Sequence, residues 1–153
     1  MVLGTEGLPP ETAAWQLVTA SWIAHPVRAM AVLGLADHLA DGPRTVGELA
    51  EASGTHAPTL ARLIRALAAL GLCATDEGGR VRLTPVGEFL RADAPGSLRP
   101  FALAIVAPHM ERAWHELPEA VRTGEAVFPR VHGLDFWDYL TAHRKRARAS
   151  TLP

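Results

Sequence analysis

Between Thr45 and Leu90 the chain carries a run of signals that few folds can satisfy. Thr45 stands where a helix N-cap belongs and Glu48 follows at the third position after it, the spacing of a capping box, which predicts a short helix through Ala52. Ser53-Gly54-Thr55 supplies a tight turn. Leu60, Leu63, Ile64, Leu67 and Leu70 then recur at helical spacing over residues 57–70, and Gly71 sits where a C-terminal cap is needed. Two helices joined by a glycine-containing turn make a helix-turn-helix. Residues 72–75 and 81–83 flank Asp76-Glu77-Gly78-Gly79-Arg80, whose glycines can take positive φ, so a β-hairpin follows. Thr84-Pro85 reads as the N-cap and first residue of a short helix ending near Leu90. The expected fold class is therefore mainly α: a winged helix-turn-helix with a small β-hairpin wing and extra N- and C-terminal helices.

The flanks extend this unit. After a ten-residue N-terminal extension, residues 11–24 place Trp15, Val18 and Trp22 on one helical face, with Leu17 and Ile23 elsewhere around the helix. Pro26 fits the first turn of a second helix over residues 27–39, whose polar positions are few: Arg28, Asp37 and His38. Helices apolar on several faces, in a chain this short, need cover from another chain, and homodimerisation supplies it most economically. Trp15, Val18, Trp22, Met30 and Leu33 are the interface candidates. Beyond Ala94-Pro95-Gly96, residues 98–122 read as helical with interruptions at Pro108 and Pro118. Residues 127–133 read as irregular, and Asp135 caps a short aromatic helix, Phe136-Trp137-Asp138-Tyr139-Leu140. The divisions expected are thus 1–10, 11–140 and a basic tail at 141–153.

Composition narrows the function. The chain has 153 residues, 48% of them apolar, enough for one real core and too few for a complete nucleotide-binding enzyme domain besides. Fifteen Lys and Arg against sixteen Asp and Glu advertise neither a nucleic-acid nor a membrane partner. The balance is uneven, because residues 141–153 hold four bases and no acid. With Cys73 as the only cysteine there is no disulfide framework. The absence of a signal peptide or spanning segment makes the cytoplasm the expected compartment.

Catalytic motifs are missing: no glycine-rich dinucleotide or phosphate loop, no zinc-protease helix and no nucleophile elbow. The seven histidines are spread singly, so no metal site is expected. The outward face of the second helix of the motif offers Arg62 and Arg65 among alanines, while Glu48, Glu51, Asp76 and Glu77 surround it. That is a poor match for a phosphate lattice. Phe101, Ile105, Met110 and Trp114 lie in an aromatic-rich half with His109 and Arg112 as polar groups. They form either a second small core or an apolar wall for a flat organic ligand.

Several runs resemble one family: Ala29-Met30-Ala31-Val32-Leu33-Gly34-Leu35-Ala36-Asp37-His38-Leu39, Thr45-Val46-Gly47-Glu48-Leu49-Ala50, Leu60-Ala61-Arg62-Leu63-Ile64-Arg65-Ala66-Leu67 and Leu83-Thr84-Pro85-Val86-Gly87. More specific are Arg112-Ala113-Trp114-His115-Glu116-Leu117, the run from Val121 to Phe128, and His132-Gly133-Leu134-Asp135-Phe136-Trp137-Asp138-Tyr139-Leu140. Together they are similar to the N-terminal dimerisation domain of class I, S-adenosylmethionine-dependent O-methyltransferases that tailor polyketides and other natural products. The resemblance implies an interlocked homodimer whose later helices cover an aromatic acceptor. Phe101, Ile105, His109, Met110 and Trp114 are then on the substrate side. It also implies that S-adenosylmethionine serves the full-length family and is not held by this chain alone, since neither the donor loop nor the general-base histidine is present. Three accounts stay open at this point: a truncated or frame-shifted enzyme, a stand-alone ligand-binding accessory protein paired with a separate catalytic subunit, and a DNA-binding regulator.

Overall fold

Residues 11–24, expected as one helix, contribute to two. The structure, a computed structural model, describes residues 6–149, with side chains to residue 142. Helix α1 (Pro10–Val18) ends at Thr19, whose hydroxyl donates to the Trp15 carbonyl at 2.8 Å. The backbone then tightens, with Trp22 N–H bonded to Thr19 O at 2.9 Å and Ile23 N–H to Ala20 O at 3.1 Å. The Thr19 hydroxyl shares the Trp15 carbonyl with the Thr19 N–H, an arrangement that bends helices, and no proline marks the end. Helix α2 (Ser21–Val32) then runs through Pro26, which costs one backbone hydrogen bond, to the Trp22 carbonyl, in a helix whose first turn is exposed. The second helix therefore starts six residues earlier than the expected range. Gly34, at φ 61°, closes α2 and opens the single turn α3 (Leu35–His38).

The winged helix follows its spacing closely. Strand β1 (Arg44–Thr45) leads into α4 (Val46–Ser53), and the capping box is complete: Glu48 N–H donates to Thr45 Oγ1 at 3.2 Å and Thr45 N–H to Glu48 Oε2 at 2.7 Å. Gly54 in the left-handed region ends α4. Helix α5 (Ala57–Ala69) buries Leu60, Ile64 and Leu67 and finishes in a Schellman motif, with Leu72 N–H on Leu67 O and Gly71 N–H on Ala68 O, both at 2.9 Å.

Strands β2 (Cys73–Thr75) and β3 (Arg80–Leu83) pair antiparallel with Cys73 opposite Leu83, and β1 joins β3 on its other edge to give the order β1-β3-β2. β3 alternates in burial: Arg80 and Arg82 out, Val81 and Leu83 in. The β1 edge was not expected from sequence. Arg80 helps hold it by donating to Pro43 O at 2.9 Å and to Glu48 Oε2 at 3.2 Å.

After β3, the Thr84 hydroxyl donates to Gly71 O at 2.6 Å and accepts Gly87 N–H at 3.2 Å, starting a 3₁₀ turn (Gly87–Leu90) in place of the short α-helix. Gly87 passes directly over the Leu72 carbonyl, and a Cβ there would overlap that oxygen.

The chain divides into two compact units, residues 1–106 and residues 107–153. The core of the first gathers Met30 and Ala31 from α2, Leu35 from α3, Leu49 from α4, Leu60, Ile64 and Leu67 from α5 and Val81 from β3. Met30, Leu35, Leu49, Leu67 and Val81 are fully shielded. Each such side chain contributes roughly 1.5–3 kcal/mol by leaving water. Helix α6 (Arg99–Ile105) completes this unit.

In the second unit, Pro108 and Pro118 mark helix starts, as interruptions there require: α7 (Pro108–His115) and α8 (Leu117–Thr123) each carry the proline in the first turn. Residues 127–133, expected as irregular, contain α9 (Val127–His132), with Pro129 in its first turn and Gly133 left-handed at its end. A proline in the first turn is tolerated because its position lacks a helical N–H partner. Asp135 caps α10 (Phe136–Ala149) through Asp138 N–H at 2.9 Å, and the helix continues well past Leu140. The side chains of the basic tail from residue 143, and all of residues 150–153, lie outside the described residues.

Candidate functional site

Most of the interface candidates meet on one face. Trp15 is 63% exposed, Val18 78% and Trp22 67%, and the two indoles pack edge to face with ring centroids 6.3 Å apart. Leu17, Ile23 and Val32, absent from the sequence-derived set, are exposed on the same two helices. Leu33 is half-buried against the core. Met30 needs correction: it is fully enclosed within its own protomer and presents no surface to a partner. It is buried with Ala31 near the C-terminal end of α2, where the core closes around the helix.

Helix α1 buries no residue at all. The two indoles alone leave roughly 300 Å² of apolar surface in water. With the aliphatic side chains the patch passes the 300–600 Å² or so typical of the largest patch on a monomer. Beside it, Trp22 and Ile23 with Ala66, Ala69 and Leu70 of α5 line an open groove of about 430 Å³. A second, of about 540 Å³, runs along α1 beside Trp15 and Val18.

The substrate-side candidates fall in both units. On α6, Phe101 is 64% and Ile105 38% exposed, and Leu98 at the N-cap is exposed beside them. In the second unit, His109, Met110 and Trp114 lie on α7. Trp114 is exposed, whereas His109 packs against Tyr139 at 5.2 Å and its carbonyl bonds the His132 ring nitrogen at 2.8 Å. Phe128 stacks edge-on to Phe136 and Tyr139 at 5.3 and 5.4 Å, so these rings form a small aromatic core with His109 at its margin.

Polar groups of the first unit are largely committed to one another. A cleft of about 550 Å³ beside the 3₁₀ turn contains Arg91, but its guanidinium is bound to Glu88 and Asp93, each at 2.9 Å. That pairing holds the Asp93 carboxyl below the usual carboxylate range. Arg80 is likewise spent on Pro43 and Glu48, while Arg62, Arg65 and Arg82 are exposed and the wing tip carries the acidic pair Asp76-Glu77. The Glu48 carboxyl is held below its ordinary value, first by its hydrogen bonds with Thr45 and then by the charge of Arg80. Burial pushes the Cys73 thiol up to about 11. No described helix is long and apolar enough to cross a membrane.

The chain resembles known proteins over most of its length. Residues 15–93 match the family model of the O-methyltransferase dimerisation domain. Phenazine O-methyltransferase PhzM of Lysobacter antibioticus is 33% identical over 141 residues, covering 92% of this chain and 41% of that protein. The solved 8-amino-8-demethyl-D-riboflavin dimethyltransferase RosA of Streptomyces davawensis superposes with a TM-score of 0.83 at 32% identity, over 92% of this chain and 42% of its own. NcsB1, an O-methyltransferase of neocarzinostatin biosynthesis solved with S-adenosyl-L-homocysteine and 1,4-dihydroxy-2-naphthoic acid, aligns with a TM-score of 0.63 at 38% identity. That alignment covers 78% of this chain and 37% of NcsB1. The chain therefore spans about two fifths of the length of its relatives.

Proposed function

Because the chain belongs to the O-methyltransferase dimerisation-domain family of natural-product biosynthesis, we propose that it forms a homodimer through the α1–α2 face and covers a planar aromatic acceptor with the exposed side chains of its later helices. The observation that carries this reading is the exposure of Trp15 and Trp22 on a face of α1 and α2 that no other described part of the protomer covers. Burying both indoles on both protomers is worth on the order of 15 kcal/mol at about 25 cal/mol per Å². That is enough to offset the roughly 4–15 kcal/mol cost of association.

Phe101 and Ile105 on α6 supply the apolar wall of the first unit, and Trp114 on α7 is the corresponding candidate of the second, with His109 and Met110 beside it in sequence. The planar aromatic class follows from the relatives, one of which was solved with a dihydroxynaphthoic acid. S-adenosylmethionine does not fit these residues. The glycine-rich turn at Gly78-Gly79 closes an antiparallel hairpin, Asp76 accepts Arg80 N–H across it at 2.8 Å, and it opens onto no helix N-terminus. Methyl transfer accordingly requires residues outside this set, on the same polypeptide or on a separate catalytic subunit, and the expected compartment is the cytoplasm.

Sedimentation velocity at micromolar concentration tests the dimer. Wild type sediments as a dimer and Trp22→Glu, which places a charge in the middle of the face, as a folded monomer. A compact wild-type monomer would overturn the reading.

A further inference from the structure

Helix α6 is short, seven residues, and Ala102 is its one fully buried side chain. Such a helix has little apolar surface to fix its place, yet its exposed face is the one assigned to the acceptor. Ala102 and Leu103 pack against the core, and polar links that arrive from far away in sequence add to that hold. Arg99 donates through Nε to the Ala31 carbonyl at the end of α2 at 3.1 Å and pairs through Nη1 with Asp37 Oδ2 at 3.0 Å. Asp37, on α3, uses its other oxygen to accept Ala92 N–H at 2.7 Å, tying the segment that leads into α6 to the same carboxylate. From the opposite end, Arg28 of α2 donates to the Leu103 carbonyl at 3.3 Å.

The planar guanidinium of Arg99 serves two acceptors of different elements at once, a geometry that the single ammonium of lysine does not reproduce. The pair is only part-exposed, at 26% for Arg99 and 35% for Asp37, so solvent screens it less than a surface ion pair. Gly34 lies against both groups: a Cβ there would stand 3.6 Å from Asp37 Oδ2 and 3.9 Å from Arg99 Nη2.

We infer that Asp37 and Arg99 are positioning residues, which hold α6 against α2 and α3 so that Phe101 and Ile105 present a fixed apolar wall to the acceptor. This inference rests on the assignment of the α6 face to an aromatic ligand made above. Loosening the clamp lowers the fraction of molecules whose wall is in place, and apparent affinity falls by that fraction.

The experiment uses the full chain with 1,4-dihydroxy-2-naphthoic acid as probe, read by calorimetry, together with amide hydrogen exchange across α6 and sedimentation velocity. Arg99→Met is expected to bind the probe about tenfold more weakly and to exchange the Ala102–Ile105 amides about tenfold faster, with the oligomeric state unchanged. Phe101→Ala loses similar affinity while its α6 amides exchange as in wild type, which separates contact from positioning. Arg99→Lys does not restore affinity, because charge alone is insufficient. Should Arg99→Met fold poorly, Asp37→Asn, nearly identical in shape, makes the same comparison. Wild-type affinity in a variant with accelerated α6 exchange overturns the positioning role, as does unaltered exchange. Absence of any probe binding by wild type overturns the acceptor reading and the inference with it.

Discussion

Replacing Gly87 by alanine adds a single methyl group, and the structure says that it will cost far more than a methyl usually does. The added Cβ would overlap the Leu72 carbonyl oxygen and approach Leu83 Cδ2 to 3.2 Å. The first obstacle is backbone, pinned by the Schellman turn on one side and by Thr84 N–H at 3.1 Å on the other, so no rotamer change relieves it. Overpacking of this kind costs about 1–3 kcal/mol. Displacing the Leu72 carbonyl from the Thr84 amide adds about 1 kcal/mol. A loss of about 3 kcal/mol corresponds to a fall in melting temperature of about 12–20 °C for a unit of this size. Gly47→Ala is the control, since Gly47 lies in α4 with only Thr45 Oγ1 near, at 3.9 Å. Relief of glycine's backbone entropy should stabilise there by about 0.5 kcal/mol. Thermal melts followed by circular dichroism would show the two glycines moving in opposite directions. A Gly87→Ala protein melting within about 3 °C of wild type would refute the close approach.

Two further predictions concern titrating groups. Because the folded Glu48 carboxyl titrates below its ordinary value, its contribution is present above the unfolded value and disappears as pH falls through the folded one. Glu48→Gln should therefore melt below wild type at neutral pH and together with it at about pH 2, and a gap that persists in acid would contradict the assignment. The Cys73 thiol, buried and raised to about 11, should ignore a disulfide reagent near pH 8 in the native protein and react with one full equivalent in denaturant. Rapid native labelling would show that β2 opens.

The middle of the chain was legible because its signals are local. A capping box, a leucine period, a glycine cap and a hairpin turn each act within a few residues, and Thr45 and Gly71 do what their spacing predicts, while Thr84 starts a 3₁₀ turn in place of the expected helix. The flanks were harder, because there the deciding contacts are weak or distant. The break after Val18 has no proline or glycine to mark it, while Pro26 and Pro129 sit in helices that absorb them. Strand β1 is two residues long and depends on Arg80, thirty-odd positions away. The face containing Trp15 and Trp22 could be read from its period, but Met30 could not be told from its exposed neighbours, since an apolar side chain does not announce which partner it faces. The Asp37–Arg99 clamp has no sequence signature at all: its members are ordinary surface residue types brought together by the packing of α2, α3 and α6.

Helix α1 has nine residues and buries none of them within the protomer. Isolated helices shorter than about 12–15 residues are marginal in water. On the proposed interface, the partner that covers Trp15 and Trp22 would also supply the free energy that keeps α1 wound, so that its winding and its docking would be one equilibrium. Helicity at the N-terminus should fall on dilution while the winged helix stays intact, so that the first proteolytic cuts report how much of the protein is alone.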